Sequence, residues 1–137
     1  MRYFIRFSYR GTAFHGSQVQ PNGHTVQAEL EHTMATILRQ PVTTTFAGRT
    51  DAGVHADCMI AHFDMESELP INLCGRLNSL LSDAIAIQSI EKVKSDAHAR
   101  FDATQRTYHY RIITKKDPFL YLTRTRVQEG LDYEAMN

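Results

Sequence analysis

The chain of 137 residues has the length of one compact domain, and its apolar and charged fractions of 42% and 22% are those of an ordinary globular protein. Basic and acidic residues number 15 each, which argues against a polycation that binds nucleic acid over its whole surface. Its apolar runs fall far short of the ~20 residues that cross a bilayer, and residues 1–9 lack the apolar centre of a secretion signal. We therefore expect a cytoplasmic protein without a membrane anchor.

Hydrophobic periodicity predicts seven elements in the order β-α-β-β-α-β-β. After the first strand, glycines and prolines interrupt a long loop that reaches Gly23, and long loops are often functional. Thr25 is expected to cap the first helix, which ends before Pro41. The predicted strands are residues 2–8, 43–47, 58–64, 85–90 and 107–113, and the predicted helices are residues 26–38 and 73–81.

This alternation predicts an α+β domain, with a mainly antiparallel sheet and with the helices on one face. The other face of the sheet would be left for a ligand. RNA-recognition domains use such a face to stack bases on aromatic side chains, although the fold alone does not establish that function. Cys58 and Cys74 match no metal-ligand spacing, and we expect both to be reduced, partly buried packing residues.

Basic residues are concentrated late in the chain. Residues 100–126 hold seven basic and two acidic side chains, a local net charge of +5. This segment could face phosphates, or it could be a solvated strand face.

The chemically most suggestive segment lies between the second and third predicted strands. Residues 47–56 read Ala-Gly-Arg-Thr-Asp-Ala-Gly-Val-His-Ala, so two glycines bracket Asp51, and Arg49 lies two residues before it. A neighbouring guanidinium favours an ionised carboxylate, which suits a nucleophile better than a general acid. Taken alone, the residues favour an ordinary turn with a local ion pair over a catalytic site.

The run at residues 48–56 resembles the signature of the TruA family of tRNA pseudouridine synthases, and nine consecutive matches make the resemblance specific. Three other segments resemble the family in the same order, namely residues 9–18, 25–27 and 98–110. Two positions depart from the family pattern: Arg10 replaces a common Asp, and Ser17 replaces a common Trp. These departures concern the contacts made by the first loop.

The resemblance implies roles for individual residues. Asp51 is the expected nucleophile, and Tyr108 the expected platform on which the target base stacks. Arg49 either pairs with Asp51 or binds a phosphate and helps to flip the base. Alternation along the last strand makes Arg106 the preferred phosphate contact, and Tyr110 is interpreted as a packing residue.

The implied reaction is the isomerisation of uridine to pseudouridine in the anticodon stem-loop of tRNA, and the resemblance implies no metal and no other cofactor. Which uridines react, and which atom Asp51 attacks, are left open. The histidines and aspartates at positions 51, 55, 62 and 64 could suggest a metal-dependent hydrolase, but their spacing matches no ligand motif. A non-catalytic RNA-binding module, with Asp51 as a turn residue, is the principal alternative.

The resemblance covers residues 2–126, about the first half of the family's usual length. We expect residues 1–126 to form the N-terminal catalytic subdomain and residues 127–137 to begin a truncated second one. In the family, the other half completes the active site and supplies much of the surface through which a homodimer forms. We therefore expect this half to fold, whereas activity need not follow without the second half.

Overall fold

A computed structural model describes residues 1–136. Their contacts divide into two compact units, one formed by Met1–Arg106 and the other beginning at Thr107. The division expected at residue 126 stays a prediction.

The first unit contains a four-stranded sheet and two α-helices. Its strands are β1 (Arg2–Tyr9), β2 (Thr45–Phe46), β3 (Ala56–Asp64) and β4 (Ile85–Val93), and its helices are α1 (Val26–Leu38) and α2 (Leu73–Leu80). The strand order is β2-β3-β1-β4, and every neighbouring pair is antiparallel. This is the ferredoxin-like β-α-β-β-α-β arrangement, so the predicted α+β fold class is confirmed.

Both helices pack on the same face of the sheet. Alternate residues of β1 (Tyr3, Ile5, Phe7 and Tyr9) are buried in one core cluster that also contains the inner faces of α1 and α2. Thr25 caps α1 as predicted, because its side chain accepts a hydrogen bond from the Ala28 amide at 3.2 Å.

The other face of the sheet is partly covered near the end of β3 by the segment 97–102. Ala99 donates its amide N–H to Nδ1 of His62 at 3.1 Å, and the His98 ring meets the His62 ring edge-on, with centroids 4.5 Å apart. His62 is consequently buried although it points away from the core. Cys58 lies on the same face but is exposed, so the expectation that it is partly buried was wrong, whereas Cys74 is half-buried.

The second unit corrects the last predicted strand. Only Ile112–Ile113 forms a strand, β5, which pairs in parallel with β6 (Thr125–Arg126). Residues 107–111 lie outside this ladder, and alternation of side chains without a partner strand does not produce a strand. Tyr110 is 97% exposed, so its interpretation as a packing residue was also wrong. A short helix, α3 (Tyr133–Met136), follows β6 in the second unit; Asn137 is outside the described residues.

Burial makes the stability of the first unit dependent on pH through His62. Burial first, and then the positive charge of Arg2 and the neighbouring His98, lower the pKa of His62, against the opposing effect of Asp64 and Asp102. The unfolded chain therefore takes up this proton at a higher pH than the folded chain. The stabilisation is present above pH ~6.5 and is lost as the pH falls toward the lower pKa of the folded state.

We predict that His62→Asn makes stability less sensitive to pH in this window, because the Asn amide oxygen can replace Nδ1 as acceptor but does not titrate. Urea denaturation at a series of pH values between about 7.5 and 5 measures the effect. His32→Asn, at an exposed position of α1, should keep the wild-type pH dependence. Equal pH slopes for the wild type and His62→Asn would contradict the prediction.

Candidate active site

Asp51 lies on the loop that joins β2 to β3, and its side chain is exposed. A tight turn follows it, in which the Val54 amide donates to the Asp51 carbonyl at 3.2 Å. Gly53 has a φ of +82°, a conformation that costs a glycine little and that other residues rarely adopt. The motif therefore encodes a turn with the carboxylate at its start.

The first loop braces the residue before Asp51 from both sides. The Ser17 amide donates to the Thr50 carbonyl at 3.0 Å, and the Thr50 amide donates to the Ser17 hydroxyl at 2.8 Å. The Tyr9 hydroxyl lies 2.8 Å from the Thr50 hydroxyl. Ser17 and Tyr9 are both buried, so these bonds are partly shielded from water and hold Thr50 in place.

Two glycines let the first loop approach so closely. A Cβ atom on Gly11 would overlap the Val54 carbonyl, and a Cβ atom on Gly16 would lie 2.9 Å from the Thr50 carbonyl oxygen. Gly16 also has a φ of +86°. The Gly11 amide donates to Nδ1 of His55 at 3.0 Å and so fixes the far end of the turn. His55 therefore has a structural role here, as an acceptor for a backbone amide.

A small polar cleft of about 150 Å³ opens beside this loop. Its lining includes Ser17, Gln27, Thr44, Arg49 and Arg100. Glu31 does not line the cleft but fixes two of its lining residues. One of its carboxylate oxygens accepts hydrogen bonds from the Thr44 amide at 2.7 Å, from the Thr44 hydroxyl at 2.8 Å and from the Gln27 side-chain amide at 3.0 Å.

The arginines singled out in the sequence have different surroundings. Arg49 is exposed at the cleft, and within residues 1–136 no ion pair joins it to Asp51. Arg106 donates two hydrogen bonds to the Ala47 carbonyl and one to the Arg100 carbonyl. Arg106 therefore links the end of β2 to the segment that carries Arg100.

Tyr108 belongs to the second unit, where its side chain is 66% exposed. An exposed ring is available for stacking. Within that unit it stands outside the short β5–β6 ladder, on the stretch for which a strand was predicted.

Three residues of the site escaped sequence reasoning. Ser17 was noted only as a departure from a family pattern, yet its hydroxyl accepts the Thr50 hydrogen bond, which an indole could not do. Arg100 was counted only as part of a basic segment. Glu31 gave no signal, because a glutamate on the outer part of a helix is ordinarily solvated.

Two features are absent from residues 1–136. No three histidine, cysteine or acidic side chains converge closely enough there to hold a metal ion. None of the helices in that range is long and apolar enough to cross a bilayer.

We predict that Ser17→Ala loosens the loop, because the partly buried Thr50 amide loses its acceptor at a cost of about 1–3 kcal/mol. Hydrogen exchange of the Thr50 amide should accelerate, and the free energy of unfolding should fall by a comparable amount. Ser79→Ala, which removes an exposed hydroxyl from α2, should change neither quantity appreciably. An unchanged Thr50 exchange rate in Ser17→Ala would show that the brace does not hold the loop.

Comparison with known proteins identifies the family of this chain. A family model described as tRNA pseudouridine synthase matches residues 5–102. The chain is 52% identical over 137 residues to tRNA pseudouridine synthase A of Bacteroides thetaiotaomicron, covering 99% of this chain and 51% of the relative. The enzyme of the same name from Exiguobacterium sp. is 41% identical over 130 residues, covering 94% of this chain and 53% of the relative. The chain spans about half the length of the curated relatives it matches, and it belongs to the tRNA pseudouridine synthase family.

Proposed function

We propose that the protein isomerises uridine to pseudouridine in tRNA and that Asp51 is its nucleophile. The observation that carries the proposal is the exposed carboxylate at the start of a turn whose flanking residues, Thr50 and His55, are both fixed by the first loop. Such bracing keeps a reactive group in place without neutralising it. The family membership supports the same assignment.

The reaction needs no oxidant, reductant or added group. The C1′–N1 bond of uridine breaks, the uracil turns, and a C1′–C5 bond forms, while C5 loses a proton and N1 gains one. Within residues 1–136 no hydrogen bond or ion pair occupies the Asp51 carboxylate, so its lone pairs can attack the nucleoside. Release of the product breaks the bond to Asp51 and restores the carboxylate.

The tRNA substrate and its handling are part of the proposal. The relatives are named as tRNA pseudouridine synthases, and we extend that substrate to this protein, with the anticodon stem-loop as the expected region. Arg49 and Arg106 are proposed to contact RNA, Tyr108 to stack on the target base, and a homodimer in the cytoplasm to be the working form. The three hydrogen bonds of Arg106 to carbonyl oxygens also give that residue a structural role.

We predict that Asp51→Asn in the complete protein lowers pseudouridine formation by about 10⁴-fold or more while tRNA binding is retained, because the amide keeps the shape and loses the nucleophilic charge. Pseudouridine in a tRNA transcript is measured by mass spectrometry, and binding by filter retention. Asp83→Asn, at an exposed position after α2, is the matched control and should behave as the wild type. Near-normal turnover by Asp51→Asn would remove Asp51 from the chemistry and favour a binding module.

A separate prediction concerns Tyr108. Tyr108→Phe should retain the stacking surface, whereas Tyr108→Ala should lose it, at a cost of about 1–3 kcal/mol per stacked base. The ratio kcat/KM should therefore fall by about tenfold or more for Ala and much less for Phe. Tyr110→Ala, which also removes an exposed ring, is the control and should have little effect. Equal losses for Phe and Ala would argue that the hydroxyl, and not stacking, is what matters.

A further inference from the structure

The cleft beside the Asp51 loop contains two cations and no anion. Arg49 and Arg100 both contribute to its lining, which includes no acidic residue. Within residues 1–136 neither guanidinium group makes a hydrogen bond or an ion pair. Two other arginines of the first unit are engaged, since Arg2 binds Asp64 with two bonds of 2.8 Å and Arg106 binds carbonyl oxygens. Unpaired arginines elsewhere in the unit, such as Arg76, do not line the cleft. The donors of Arg49 and Arg100 are thus left for a ligand.

The backbone around Arg100 is held at several points. On one side, the preceding residue donates to buried His62, and the His98 ring accepts from the Arg100 amide at 3.2 Å. On the other side, Arg106 donates to the Arg100 carbonyl at 2.9 Å and to the Ala47 carbonyl at 2.7 Å. A long flexible side chain gains most as a ligand when its backbone is already fixed, because less conformational entropy is then lost on binding.

The size and chemistry of the cleft favour a phosphate group. Guanidinium groups bind phosphate oxygens through paired N–H donors, and Arg49 and Arg100 supply two such groups. The Thr44 hydroxyl and the Gln27 amide group also line the cleft, but both already donate to Glu31. A volume of about 150 Å³ is well below the ~300 Å³ at which pockets for whole small molecules begin. An anionic group that enters from a larger molecule outside fits this volume better than an enclosed nucleotide.

We propose that Arg100, together with Arg49, binds a backbone phosphodiester of the RNA substrate in this cleft. The identity of the RNA rests on the proposed function, whereas the phosphate site rests on the two unpaired guanidinium groups. Arg100 is then a binding residue for tRNA, and contacts from His62, His98 and Arg106 hold its backbone in position. The phosphate would be held close to the loop that carries Asp51, and so would fix the strand near the reacting nucleotide.

The test compares Arg100→Gln with Arg76→Gln in the complete protein. Each variant removes one positive charge, but Arg76 is exposed on α2 and does not line the cleft. Affinity for a tRNA transcript is measured by filter binding at several salt concentrations. We expect Arg100→Gln to weaken binding by about tenfold and to flatten the log–log salt slope by roughly 0.7–0.9, and Arg76→Gln to leave the slope unchanged. Arg100→Lys should restore most of the slope, because it keeps the charge.

Overlapping salt slopes for Arg100→Gln and Arg76→Gln would overturn the proposal. So would an accelerated exchange of the Ala99 amide in Arg100→Gln, because the loss of affinity would then follow from a displaced segment. The outcome is separate from that of the proposed function, since binding is measured without turnover. If Arg100→Gln flattens the slope but the complete wild-type protein forms no pseudouridine, the proposed isomerase activity is refuted and the phosphate site stands. If the wild type forms pseudouridine but Arg100→Gln leaves the slope unchanged, the activity stands and the phosphate site is refuted.

Discussion

The reciprocal pair of hydrogen bonds between Ser17 and Thr50 is the interaction on which the site depends. A chain can present an exposed carboxylate on a turn easily, but a turn between two strands is ordinarily mobile. Here one backbone hydrogen bond joins Ser17 to Thr50, and the Ser17 hydroxyl accepts from the Thr50 amide, so both backbone groups of Thr50 are bound to a second loop. The loop before Asp51 therefore shares the rigidity of the buried residues around it.

That pairing places demands on the first loop that explain its sequence. The loop must approach the turn closely at two points, and Gly11 and Gly16 are the residues whose missing side chains allow it. It must also leave β1 in the right direction, which the buried Tyr9 ensures by packing in the core and bonding to Thr50. The first loop is long and irregular because it must lie along the loop that carries Asp51 and contact it at several points.

Sequence patterns predicted the elements of the first unit well because each of them buries one face. The period-2 pattern of β1 and the capped, amphipathic α1 are local signals of a non-local core, and both agree with the structure. The stretch around Tyr108 and Tyr110 has the same alternation but no ladder to join, so the local signal misled. Within the site, the motif around Asp51 was recognisable. Ser17 and Glu31, in contrast, bind Thr50 and Thr44, which are distant in sequence, and Arg100 lines a cleft with Arg49. No local pattern reports such neighbours.

The sequence shows where the charged residues are, but only the fold shows which of them are paired. From the sequence, the basic stretch over residues 100–126 could face phosphates or could be a solvated strand face. The fold engages Arg106 with carbonyl oxygens and leaves the guanidinium groups of Arg49 and Arg100 unpaired. These two residues are 51 positions apart in sequence and line one cleft. What matters for an anionic ligand is therefore which cations lack a partner after folding, because a guanidinium already bound to the protein must give up those bonds before it can bind phosphate.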